Sequence, residues 1–205
     1  MILRAAAAVS LLAGLSACAW YLHLIGKSPI AGLAARHMRE MKDRTELPAR
    51  LAPTTFAEIG GLPHGLSVAE YSGIERRSVS LDGYIQRMVR ASDGDLHLEI
   101  VPALHRPDDP ALMYVTGEIT PQWHRRSEAW SYPRLVEQLR PTRGGVTAWE
   151  RGTRRVRISG WLLYDYEYPD FSSPANRRMT SWEIHPVTRI ELWDDSLGRF
   201  SEYPR

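Results

Sequence analysis

Four residues in this 205-residue chain carry the strongest chemical signal: Asp95, His97, Glu118 and His185. Carboxylates are oxygen ligands for divalent cations and imidazoles add nitrogen, so such a set could hold a metal ion. The same residue types can move protons, because they titrate between the acidic and neutral range. All four are candidates for catalysis, and Asp95 and Glu118 are the candidates for metal ligation. The sequence demands no cofactor; a divalent cation is the one it could accommodate. Alternation also sets Tyr84, His97, Glu99, Tyr114 and Glu118 on one side of three successive strands, a face suited to ligand binding. Glu183 sits beside His185 in the last strand. The competing reading of all these residues is ordinary strand architecture with cross-strand pairing.

The elements that would position them follow from periodicity. Val79, Leu81, Gly83 and Ile85 alternate with Ser80, Asp82, Tyr84 and Gln86, which predicts a first strand. Ser92-Asp93-Gly94-Asp95 is a tight turn, with Gly94 in the left-handed conformation. Leu96, Leu98 and Ile100 then face opposite His97, Glu99 and Val101, and Met113, Val115 and Ile119 opposite Tyr114, Thr116 and Glu118. Helical spacing over 131–139, with Ser131 as N-cap and Pro133 in the first turn, predicts a helix. Two strands follow, Arg154–Tyr164 and Met179–Trp193. The expected class is mainly β: a five-stranded OB-type barrel with one helix between strands three and four. An SH3-like barrel or a split α+β sheet would produce similar strings. The barrel would span 78–194, after a helical and extended connector over 27–77 and before a tail over 195–205.

Residues 1–26 read as a membrane address and would add an N-terminal targeting helix. No charged residue lies between Ala5 and Ile25, and Arg4 stands just before that run. Leu15-Ser16-Ala17-Cys18 fits a lipobox, with Cys18 lipidated. The alternative is one transmembrane helix of about 20 residues, with Trp20 and Tyr21 at the interface. Lys27, Arg36, Arg39, Lys42 and Arg44 follow the run and would hold the rest of the chain in the cytoplasm. The lipobox points outward, to an exported domain, which is the favoured placement.

Composition excludes several classes. Cys18 is the single cysteine, so neither an internal disulfide framework nor a multi-cysteine zinc site can form. A net charge of +2 gives no general case for nucleic acid. Glycine-rich phosphate loops, zinc-protease helices and G-x-S-x-G elbows are all missing. Arg125-Arg126 and Arg154-Arg155-Arg157, interleaved with Trp123, Trp130, Trp149 and Trp161, could form a stacking and phosphate surface, or could pack a small barrel's rim.

The runs Asp93-Gly94-Asp95-Leu96-His97-Leu98-Glu99, Val115-Thr116-Gly117-Glu118-Ile119-Thr120-Pro121, Ile158-Ser159-Gly160-Trp161 and Trp182-Glu183-Ile184-His185-Pro186-Val187 together resemble a group of uncharacterised, often exported bacterial proteins. Those carry D-x-D-x-H-L, E-I-x-P and E-[IL]-H-P-V strand motifs; the resemblance covers about Val79 to Leu192 and implies an OB-like fold without an established activity. A looser resemblance is to staphylococcal-type nucleases, also OB barrels with a D-G-D turn leading to a calcium site. It implies Asp95 as a metal ligand and Glu118 as a second. The chain departs from that pattern at Leu96, where a threonine is expected, and Arg87 and Arg90 lie on the wrong side of the turn.

The expected function is a membrane-tethered, non-enzymatic binding module engaging an envelope protein or an oligosaccharide, with nucleic acid ranked behind them. The alternatives are a metal-dependent, nuclease-like phosphodiester hydrolase and a structural subunit of a cell-envelope assembly. Whether the chain is an enzyme stays open at this point.

Overall fold

The computed structural model describes residues 30–106, 109–139, 153–169 and 177–204. The 1–26 segment, with Cys18 and its expected targeting helix, lies outside the described residues, as does Trp149. Among the described residues no helix is long and apolar enough to cross a membrane.

In chain order the elements are α1 (Gly32–Lys42), β1 (Ala52–Thr54), α2 (Phe56–Gly60), α3 (Val68–Ile74), β2 (Ser78–Arg90), β3 (Leu96–Val101) and β4 (Tyr114–Ile119). After these come α4 (Pro121–His124), a 3-10 turn (Glu128–Trp130), α5 (Tyr132–Leu139), β5 (Arg155–Tyr164), β6 (Arg178–Asp194) and β7 (Arg199–Tyr203). Strands β2, β3 and β4 form an antiparallel meander. β6 runs parallel to β4 and antiparallel to β5, and β5 closes back antiparallel onto β2. The result is a closed five-stranded barrel of OB type, with α5 between its third and fourth strands.

Closure follows from the alternation. Val79, Leu81, Ile85, Leu98, Ile100, Val115, Ile119, Val156, Ile158, Ile184 and Ile190 are all buried in one cluster, which α5 joins through Leu135 and Leu139. Each fully buried aliphatic side chain contributes roughly 1.5–3 kcal/mol. A register shift between Ile85 and Arg87 lets Met88 face inward after the even-odd pattern has broken. Gly94 has φ 94°, as the tight turn between β2 and β3 requires. Gly160 lies where β5 crosses β6 so closely that a Cβ would strike the Pro186 carbonyl oxygen.

The connector and tail are more structured than their sequences imply. β1 pairs parallel with β2, from Ala52 opposite Val79 to Thr54 opposite Leu81. α2 and α3 each begin with a capping box, Thr55 with Glu58 and Ser67 with Glu70. Tyr71 of α3 stacks on Tyr164 at 3.9 Å, and the buried Trp182 indole donates to the Pro63 carbonyl at 3.0 Å. The expected tail instead turns at Gly198 and returns as β7 along β6.

Candidate functional site

The outward side chains of β3, β4 and β6 meet on one flank of the barrel. Cross-strand register sets His97 opposite Glu118 and Thr116 beside Glu183. Because side chains alternate along a strand, these pairings bring the carboxylate of Glu118 between two imidazoles. His97 Nε2 lies 3.0 Å from Glu118 Oε1, and His185 Nδ1 lies 3.0 Å from Glu118 Oε2. The same His185 nitrogen is 2.9 Å from Glu183 Oε1, while its Nε2 stands 3.6 Å from Asp95 Oδ2. Asp95, expected with these residues from the sequence, enters from the turn before β3.

Three further charges complete the cluster. Arg178 Nη1 reaches Asp165 Oδ2 at 2.7 Å and Glu183 Oε2 at 3.3 Å. Lys42, from the end of α1, sets its Nζ 3.5 Å from Asp93 Oδ2, 3.7 Å from Asp95 Oδ2 and 3.8 Å from Glu118 Oε2. These distances exceed those of a tight charge-assisted hydrogen bond, so the ammonium hovers among three carboxylates without settling on one. Lys42, Asp165 and Arg178 were not legible as site residues. They come from three separate segments, and no spacing in the sequence ties them to Glu118.

Burial is what makes this cluster unusual: His185 is 0 % exposed, Glu183 1 % and Glu118 2 %. Buried charges are expensive to desolvate, and an ion-pair network of this kind is weak evidence of added stability. Such clusters of perturbed groups are typical of functional sites. Burial pushes the Asp95 carboxyl up to about 6, with Glu118 and Asp93 adding to it against His185 and Lys42. Burial, with the Glu118 and Asp165 carboxylates, pushes Glu183 up to about 7. For His185 burial acts downward, but Glu118 and Glu183 prevail and hold the imidazole up at about 10. His97 is raised in the same way, since Glu118 outweighs its burial. Glu118 itself is held well below the usual carboxylate range: the two imidazoles overcome its burial.

One ligand atom each from Asp95, Glu118 and His185 lies within 4.8 Å of the other two. Ligand atoms on opposite sides of one cation are about two bond lengths of 2.0–2.4 Å apart, so the set fits a single ion. One buried atom at its centre, His185 Nε2, makes no hydrogen bond. A mixed set of two carboxylates and an imidazole suits Mn²⁺ or Zn²⁺ better than Ca²⁺.

The five residues expected to line a ligand face do not form one continuous open surface. His97 and Glu118 belong to the cluster. Glu99 is buried and ion-paired with Arg87, and the half-buried Tyr114 has its phenol pushed up to about 12 by burial. Tyr84 lies apart, between Val101 and Arg155, along a separate groove of about 860 Å³ with Arg154 and Trp193. The tryptophans and arginines of the expected stacking surface are likewise dispersed. Trp123 and Trp130 are buried, with Arg126 over the Trp123 ring at 3.8 Å. Trp161 donates to the Glu46 carbonyl at 3.2 Å, and Arg155 and Arg157 pair with Asp82.

No family model matches this chain, and neither does any curated protein. Among solved structures, it is similar to the asparaginyl-tRNA synthetase of Entamoeba histolytica, with 14% identity over 70% of this chain and 24% of that one, at a TM-score of 0.38. The same enzyme in complex with asparaginyl-adenylate aligns at 15% identity, with the same coverage and a TM-score of 0.37. The chain thus spans about a quarter of the length of that synthetase.

Proposed function

We propose that this chain is a cation-dependent binding module, an OB-type barrel that holds a divalent ion between Asp95, Glu118 and His185. The observation that carries this reading is a fully buried imidazole whose Nε2 makes no hydrogen bond and stands 3.6 Å from an Asp95 carboxylate oxygen. A buried polar atom without a partner costs on the order of 1–3 kcal/mol, which a bound cation would offset. Glu183, on the other ring nitrogen, would fix the orientation and tautomer of His185. The membrane reading of residues 1–26 adds that the barrel works at a membrane surface. Incorporation of labelled fatty acid by the wild type and its loss in Cys18→Ala would support lipid attachment there.

Mn²⁺ titration of the full chain, followed by electron paramagnetic resonance, tests the cation site. Binding weakened at least tenfold in Asp95→Asn is the expected result. A wild type that takes up neither Mn²⁺ nor Zn²⁺ would overturn the reading.

Hydrolysis of a phosphodiester is the second reading, favoured by a pocket that opens beside Asp95. A bound cation would polarise a phosphoryl oxygen and lower the pKa of an attacking water. His97, the partly exposed imidazole of the cluster, would receive and return the proton. Cleavage of quenched oligonucleotides, abolished by a chelator and by Asp95→Asn, is the outcome this reading requires.

A further inference from the structure

We infer that the pocket beside Asp95 is a phosphate site, and that the ligand of this barrel is a phosphomonoester of small-molecule size. This deepens the cation reading and rests on it. The pocket, about 370 Å³, lies between α1 and the start of α4. Ligand cavities in proteins begin at about 300 Å³, so it has room for one phosphoryl group and a modest organic part.

Three cationic side chains line it: Arg39 and Lys42 from α1, and Arg125 just past α4. Lys42 is engaged by the carboxylates of the cluster. Arg39 and Arg125 are exposed, and among the described residues neither guanidinium has an ion pair or hydrogen bond. Thr120 also borders the pocket. Thr120 is 2 % exposed, and its Oγ1 makes no hydrogen bond. A phosphate oxygen could accept from that hydroxyl, while guanidinium forks match phosphate bidentately.

Charge decides which anion fits and when. Asp43, Asp93, Asp95 and Glu167 also border the pocket and would repel a bare anion. A divalent ion on Asp95 would reverse that field, and such ions are commonly shared between one or two carboxylates and a substrate phosphate. A phosphomonoester carries nearly two charges at neutral pH, enough to engage both guanidiniums and the cation. A carboxylate carries one charge and fewer acceptor oxygens. Binding of cation and phosphate must therefore be mutually reinforcing by the same factor.

Calorimetry on the full chain in detergent, with phenyl phosphate as probe and benzoate as the carboxylate control, tests this. Phenyl phosphate should bind at least tenfold more tightly with saturating Mn²⁺ than with chelator, and benzoate should not compete. Arg39→Gln, Arg125→Gln and the isosteric Thr120→Val should each weaken phenyl phosphate at least fivefold, with Mn²⁺ titration of each variant reporting whether the cation site is intact. If Mn²⁺ binds but phenyl phosphate does not, or if benzoate binds equally well, the phosphate inference falls and the cation reading stands. Variants that bind phenyl phosphate like the wild type would also sink the inference. Failure of the wild type to bind Mn²⁺ removes both.

Discussion

His185 Nε2 stands 3.6 Å from Asp95 Oδ2, at the inner end of a cluster whose other imidazole nitrogen is already engaged by Glu118 and Glu183. The ring is thus hydrogen-bonded at Nδ1, while Nε2 has only the longer contact with Asp95. A proton on Nδ1 would leave the Nε2 lone pair facing Asp95, the arrangement a metal-ligating histidine adopts.

Cation uptake by this pair must compete with protons. The fold holds the His185 imidazole at about 10 and the Asp95 carboxyl at about 6, so both bind protons more tightly than ordinary groups. Mn²⁺ affinity should therefore rise steadily between pH 6 and 9, by up to about tenfold per pH unit. A flat profile across that range would contradict the assignment of His185 as a ligand.

Stability without the cation should run the opposite way. Asp95 is raised from 3.8 to about 6, Glu183 from 4.5 to about 7 and His185 from 6.5 to about 10. Each raised group contributes stability that is full below its unfolded pKa and lost as pH climbs through its folded one. Glu118, held low, acts in reverse and loses its contribution only as the solution turns acidic. With chelator present, the denaturation midpoint should thus be higher at pH 5 than at pH 8.5. Asp95→Asn should raise the midpoint at pH 8.5 and flatten the profile between pH 4 and 6.

Lys42 occupies the approach to the same carboxylate oxygens, 3.7 Å from Asp95 Oδ2 and 3.8 Å from Glu118 Oε2. An ammonium there repels an incoming divalent ion. Lys42→Met should tighten Mn²⁺ binding about tenfold, a change equal to about 1.4 kcal/mol. Weaker binding in this variant would mean instead that Lys42 holds the carboxylates in place.

Arg178 is the buried counter-charge to Asp165 and Glu183. Arg178→Met keeps the length of the side chain but leaves two buried carboxylates without their cation. Removing one partner of a buried ion pair costs about 3–5 kcal/mol, so urea denaturation should show a loss of that size. A loss below about 1 kcal/mol would show that Lys42 and His185 suffice to compensate both acids.

The close approach of β5 to β6 at Gly160 leaves no room for a Cβ, which would strike the Pro186 carbonyl oxygen. Gly160→Ala should destabilise by about 1–3 kcal/mol or more, because backbone rather than a flexible side chain must move. Since Pro186 follows His185, the same substitution should also weaken Mn²⁺ binding.

The five barrel strands and the helix between the third and fourth were legible because each rests on a local period. Leu96-Leu98-Ile100 needs one buried face and nothing more to declare a strand, and 131–139 needs only its helical spacing. The short elements were not legible. β1 has three residues, too few for a period, and β7 follows a tail whose pairing depends on β6 being there. Asp95, His97, Glu118 and His185 were visible as types on a common parity, since cross-strand register converts parity into a shared face. What no residue pattern could show is that this face is closed over. Lys42 arrives from a helix far upstream, Asp165 from just past β5 and Arg178 from the start of β6, so solvated strand residues become a buried charged centre. The same long-range packing brings Arg39 and Arg125 to the pocket beside Asp95. Periodicity is a local property and was set by the chain itself; burial and convergence are properties of distant segments meeting, and only the tertiary structure decided them.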